Sequence, residues 1–414
     1  MDLLDTWKSL DRTQRNAFTA SFLGWMLDAF DFFLMVFVLR AIAAEFGTDV
    51  KSVALGVTLT LAMRPLGALA FGLLAERYGR RPVLMVDILL FSVLELASAF
   101  APSLVALLVL RAAFGFAMGG EWGIGAALTM ETLPARARGL ASGILQQGYS
   151  FGYLAAAVVY GLLFDTIGWR GMFAVGVLPA LLVLFIRRHV EESPAWQRAR
   201  HRPRRSIGAV LRSRAGLFVY VVVLMAAFNF FSHGTQDLYP TFLQAQEKLS
   251  THQVSLITII ASVGAIVGGT TVGALSQRFG RRRAIIGAAL LALPLIPLWA
   301  FSTSVVFLAL GAFLMQVSVQ GAWGVIPVHL NELSPDEVRG TFPGFAYQLG
   351  NLLAAVNATW QAGLAQSHGG DYALALAIVA AAAAVAIALF TAAGPEMHGA
   401  SFGGSEGGGG ALVE

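Results

Sequence analysis

The 414-residue sequence predicts an all-α integral membrane protein with twelve transmembrane helices in two six-helix bundles related by pseudo-two-fold symmetry. Three observations carry that prediction. Hydrophobic residues make up 57% of the chain and charged residues only 13%, with a mean hydropathy of +0.70, whereas a soluble domain carries about a quarter charged residues. Apolar runs recur at the roughly 20-residue length that crosses a bilayer. The second half of the chain repeats the first at a fixed offset of 201 residues. This composition excludes a soluble enzyme, a disordered chain and a small disulfide scaffold. With no Cys, no disulfide framework, Fe–S cluster or thiolate zinc site is expected, and no metal or cofactor.

The spans fall in order at 17–40, 52–74, 83–101, 104–127, 139–164 and 169–187, then 215–243, 253–275, 284–301, 304–328, 340–363 and 371–393. The chain divides accordingly into an N-terminal segment (1–16), a first bundle (17–187), an Arg-rich loop (188–214), a second bundle (215–394) and a Gly-rich tail (395–414) expected to be flexible. The N-terminal segment is polar and has no signal-peptide pattern. Of the 28 Lys and Arg, 22 lie in the N-terminal segment and alternate loops. Only Arg40, Lys51, Arg170 and Lys248 lie on the opposite side, with Arg64 and Arg111 inside spans. The positive-inside rule then predicts that both termini are cytoplasmic, in what is expected to be a bacterial inner membrane. The net charge of +4 is a topology signal and does not point to a nucleic-acid partner; the expected partners are the bilayer and a small solute.

The repeat is read from motifs. Gly72-Leu-Leu-Ala-Glu-Arg77-Tyr-Gly79-Arg80-Arg81 returns as Gly273-Ala-Leu-Ser-Gln-Arg278-Phe-Gly280-Arg281-Arg282. The same offset relates Trp122-Gly123 to Trp323-Gly324, Glu131 and Arg138-Gly139 to Glu332 and Arg339-Gly340, Gln147 to Gln348, and Asp28 to Asn229. Parallel repeats imply a pseudo-two-fold axis along the membrane normal and a cavity between the halves. The loop and its copy, Arg111-Ala-Ala-Phe-Gly115 and the Glu131…Arg138-Gly139 segment resemble the signature segments of the major facilitator superfamily over nearly the whole chain. The resemblance implies a transporter that functions as a monomer. Its gate residues would be Arg77, Arg80, Arg81, Glu131 and Arg138 with Arg278, Arg281, Arg282, Glu332 and Arg339, which hold helix ends together and also orient the chain. No Gly-Lys-Ser/Thr occurs, which leaves facilitated diffusion or ion coupling as the energy source.

Ionisable groups inside spans cost about 2.5–3.5 kcal/mol each on the translocon scale and invite functional readings. Asp28 and Asp31 share one helix face and are candidates for carrying protons, or for partnering an arginine. Arg111 is the candidate anchor for a carboxylate, since a guanidinium stays charged and binds bidentately; the alternative is a permanent salt bridge to a first-span aspartate. Glu121 is expected to pair with Arg138, Asp87 and Glu95 to serve structure or the Arg80-Arg81 loop, and His329 to pack or gate.

In the seventh span, Asn229, His233 and Asp237 form a stripe at four-residue spacing, suited to substrate and proton handling or to an interhelical ladder, and Pro240 is expected to break the helix. Asn229, Ser232, His233, Thr235, Gln236, Asp237 and Thr241 together resemble the seventh-span signature of the lactate/pyruvate–proton symporters, the monocarboxylate branch of the sialate–proton symporter family. That resemblance implies symport of a small monocarboxylate with a proton. It also implies binding positions at Arg111, at Tyr149 (where the family can have Phe) and Ser150, and at Gln348 and Asn351. Asp28, Asp31, His233 and Asp237 would be the proton-coupling residues. The rivals are a carrier for a larger acid, such as sialate or an aromatic acid, a non-transporting carboxylate receptor, and a membrane-embedded enzyme, the last opposed by the absence of a nucleophile motif beside His233.

Overall fold

The computed structural model describes residues 7–200 and 207–402. In the first half the helices are α1 (Arg12–Glu45), α2 (Val50–Tyr78), α3 (Arg80–Ala99), α4 (Leu104–Met118), α5 (Glu121–Thr132), α6 (Ala135–Gln146), α7 (Gly148–Val175) and α8 (Ala180–His189). The connecting segment holds α9 (Pro194–Ala199) and α10 (Ile207–Ser213). The second half holds α11 (Ala215–Gln236), α12 (Tyr239–Ala245), α13 (Thr251–Phe279), α14 (Arg281–Ala300), α15 (Val305–Gly324), α16 (Ile326–Leu333), α17 (Phe342–Ala354), α18 (Asn357–Ser367) and α19 (Tyr372–Ala393). Leu162, Val306 and Leu389 are among the large apolar side chains left facing outward, as a lipid-facing surface requires.

Among the described residues, ten segments are long and apolar enough to cross a membrane. One of them, Ala135–His189, is 55 residues long and contains both the fifth and sixth expected spans; it turns at Gly168, whose φ of 62° breaks the helix. The eleventh expected span is interrupted between α17 and α18 and so forms two short helices. The fourth span is likewise broken at Gly119-Gly120.

The 201-residue repeat becomes a repeated geometry on the face that carries the basic loops. Gly79 (φ 109°) and Gly280 (φ 87°) turn the chain into α3 and α14 in a conformation that side chains disfavour. The next residue in each case reaches a buried glutamate 51 positions on: Arg80 lies 3.0 Å from Glu131, and Arg281 lies 2.9 Å from Glu332. Glu76 adds a second bond to Arg80 at 2.8 Å. Arg138 and Arg339 each cap a preceding carbonyl, that of Leu133 and that of Ser334. Arg81 bonds the Arg187 carbonyl and Arg282 that of Thr391, while Arg77 and Arg278 lie over Tyr78 and Phe279. The arginine–glutamate pairs therefore sit within halves.

Other groups hold the halves to each other. Ser142 Oγ donates to the Gly324 carbonyl at 2.7 Å and accepts from the Val328 N–H. Gln277 accepts from the Gly139 N–H, and Glu76 from that of Gly340. α5 meets α17 where Gly123 and Gly344 touch backbone to backbone; a Cβ on Gly123 would lie 2.8 Å from the Gly344 Cα. All these contacts lie toward the basic face. The tail expected to be flexible is docked there as far as Phe402, which is only 6% exposed; residues 403–414 lie outside the described residues. Replacing Arg281 by Ala strands Glu332 in a dry site, so a loss of about 3–5 kcal/mol in stability is expected, read as a lowered unfolding temperature of the detergent-solubilised protein.

Candidate functional site: a polar cleft over an aromatic floor

Between the halves, above the closed basic face, an aromatic chain crosses the pseudo-two-fold axis. Trp25 of α1 lies 5.6 Å from Tyr149 and 6.5 Å from Trp122 (ring centroids). Trp122 reaches Tyr347 of the second half at 4.7 Å, and Tyr347 continues to Trp323 at 5.7 Å. Trp122 donates to Gln146, but the indole N–H groups of Trp25 and Trp323 are buried without a protein partner, as are the Gln147 amide and the Gln348 carbonyl oxygen. Buried polar atoms are rarely left unpaired, so this floor carries hydrogen-bonding capacity that the fold itself does not use.

The second half supplies the polar stripe. α11 stops at Gln236 and α12 begins at Tyr239, so the break expected at Pro240 occurs just before it. His233 bridges Asp237 (3.2 Å) and the Asn351 carbonyl oxygen (3.2 Å). The His233 and Asp237 side chains are 36% and 38% exposed; inside a membrane span such exposure means a water-filled cleft. Tyr149 faces this stripe across the cleft, within the electrostatic field of Asp237. Gln236 donates to Gln316, which extends the polar lining to α15. Asn229 instead turns its amide onto its own helix, donating to the Met225 carbonyl. Ser150 is half-buried beside Tyr149.

In the first half the two first-span aspartates part company. Asp28 pairs with Arg64 of α2 at 3.4 Å, whereas Asp31 lies with Glu95 and Arg111. Arg111 is tightly held: one of its terminal nitrogens donates to Glu95 (2.6 Å) and Ser98 (2.7 Å), and the guanidinium lies over Phe114 and Phe173 at 4.1 and 5.0 Å, with its Nε unpartnered. It is 1% exposed and enclosed within the first bundle. Its ion-pair partner is a third-span glutamate, where a first-span aspartate was the alternative to the expected carboxylate anchor. Glu95 is thereby removed from the Arg80-Arg81 loop. Asp87 lies against Gly120, near Asp28. Glu121 does not pair with Arg138; it packs on Gly24 with both oxygens unpartnered, in the field of Asp28, Asp87 and Arg64. His329 is fully buried with neither ring nitrogen bonded, in keeping with packing.

Arg64 is the site residue that sequence reasoning passed over. Besides Asp28 it touches only the Met118 sulfur (3.4 Å) and the Phe32 ring, and its Nε has no partner. Its charge acts on Tyr149 and Tyr347, on both sides of the seam. An arginine in mid-span was the available signal; its direction came only with packing. Because Arg111 spans two hydrogen bonds and an aromatic face, Arg111→Lys is expected to cost about 1.5–3 kcal/mol of stability, with substrate Kd within twofold of wild type. A tenfold weaker Kd at unchanged stability would return Arg111 to the substrate.

Comparison with known proteins shows the family. The family model described as Major Facilitator Superfamily matches residues 21–249, and that described as Sugar (and other) transporter matches 205–396. A probable 4-methylmuconolactone transporter of Cupriavidus pinatubonensis is 32% identical over 84% of this chain and 83% of its own length. The sialic acid transporter NanX of Escherichia coli is 30% identical over 86% and 89%. The solved proton:xylose symporter XylE superposes with a TM-score of 0.78 at 20% identity, covering 94% of this chain and 98% of its own. Fold and relatives are those of transporters and not of enzymes, and this integral membrane protein belongs to the major facilitator superfamily.

Proposed function

We propose that the protein carries an organic acid anion together with a proton by alternating access, and that its basic face is cytoplasmic, so that the cleft described above opens outward. The observation that carries this reading is the loosely held Arg64–Asp28 pair beside unpartnered donors at an aromatic floor. With Asp28 ionised, Arg64 is held by its own protein. A proton on Asp28 releases the guanidinium to a substrate carboxylate, with the Trp25 and Trp323 N–H groups as further donors. Proton and anion together are neutral, which lowers the cost of occluding them. An empty carrier re-forms the ion pair and can return.

His233, Asp237 and Asn351 form the opposite wall and supply a second place for a proton, with Gln348, Tyr149 and Ser150 positioning the substrate. Asp31 acts through the Arg111–Glu95 group. The five aromatic rings favour a ring-bearing acid, a reading supported by the muconolactone and sialic acid transporters among its relatives. The seventh-span residues from Asn229 to Thr241 favour instead a short monocarboxylate such as lactate or pyruvate.

Purified protein in sealed proteoliposomes is expected to take up labelled acid faster when the outside is made acidic. Uptake indifferent to the proton gradient removes the coupling, and competition by lactate against sialate and benzoate decides the size class. Arg64→Lys keeps the charge but loses a charged hydrogen bond worth about 1.5–3 kcal/mol, so a rise in KM of about tenfold or more is expected.

A further inference from the structure

We infer that the segment Glu396–Phe402 is a latch that holds the two halves together at the basic face, and that Phe402 is its key. The ring of Phe402 sits between two guanidinium groups from opposite halves: the Arg138 carbon lies 3.7 Å from its centroid and that of Arg339 3.9 Å. Each π-face of a phenyl ring attracts a cation, so one ring offsets the repulsion between two like charges that closure of this face brings together.

The backbone of the segment repeats the bridging. Arg138 of the first half donates to the Ala400 carbonyl at 2.7 Å, and Arg198 of the connecting helix α9 donates to the Phe402 carbonyl at 3.1 Å. On the second half, the Gly399 N–H donates to Glu332 at 3.1 Å and Glu396 accepts from the Arg282 N–H at 2.9 Å. A single strand of seven residues thus binds first half, connector and second half at once. When the halves separate at this face, Arg138 and Arg339 move apart and the ring can keep only one of them. The latch therefore favours the state in which the basic face is closed, whatever the substrate is.

The absence of native Cys makes the test direct. Spin labels on Arg136→Cys and Glu337→Cys, exposed positions on either half, report the separation of the halves at this face in full-length protein without substrate. Phe402→Ala is expected at least to double the fraction of molecules with the labels far apart, and Phe402→Tyr, which keeps the ring, to match wild type. Gly399→Pro, which removes the N–H bonded to Glu332 at a backbone φ of +80°, breaks the strap without touching the ring and is expected to act like Phe402→Ala. If both disrupting variants leave the distance distribution as in wild type, the latch is overturned, and that result is independent of whether any organic acid is transported.

Discussion

A guanidinium inside a bilayer cannot shed its charge and finds no water, so each one dictates the company it keeps. Four of the six arginines buried among the described residues organise this protein. Arg80 and Arg281 pull Glu131 and Glu332 from the ends of the fourth and tenth spans and so set how the loops meet the bundles. Arg111 draws Glu95 and the ring of Phe173 around itself and thereby ties the third, fourth and sixth spans into one body. Arg64 has the weakest partnership, a single 3.4 Å contact to Asp28 beside an unbonded Nε. The pairing distances set the two apart: a charge held at 2.6 Å by a carboxylate, as Arg111 is, holds structure, and one held at 3.4 Å is the more readily offered to a ligand.

The same principle separates the two ends of the molecule. At the basic face the halves meet through backbone contacts of glycines, through a hydrogen bond donated by Ser142, and through Glu76 and Gln277 accepting from the Gly340 and Gly139 N–H groups. These are short, local and individually modest, so a rigid-body rocking of two bundles can exchange them for another set without unfolding either bundle. The arginine–glutamate pairs stay inside each half and travel with it. The seam is thus built from replaceable contacts, and the bundles from contacts too costly to break.

Much of this was legible in the chain. The repeat at 201 residues predicted paired motifs, and Arg80–Glu131 and Arg281–Glu332 form the same bond at the same spacing. The seventh-span stripe was readable because helical periodicity places His233 over Asp237, and the stop before Tyr239 follows from Pro240. What misled was the assumption that neighbours on one helix face share a partner. Asp28 and Asp31 are three residues apart, yet Arg64 and Arg111 approach from different helices and divide them. The break between α17 and α18, and the docking of a Gly-rich tail by Phe402, carried no distinctive local pattern because both depend on partners far away in sequence.

Hydropathy, basic-loop asymmetry and an internal repeat depend only on residue type and spacing, and from them followed a membrane protein of two like halves with charge kept scarce. Which arginine is tightly paired and which loosely, and that the floor is a chain of aromatics joined across both halves, depended on how helices turn and lean when packed. Side-chain direction in a bundle is set by the neighbours that exclude it, and those neighbours exist only once the chain is folded.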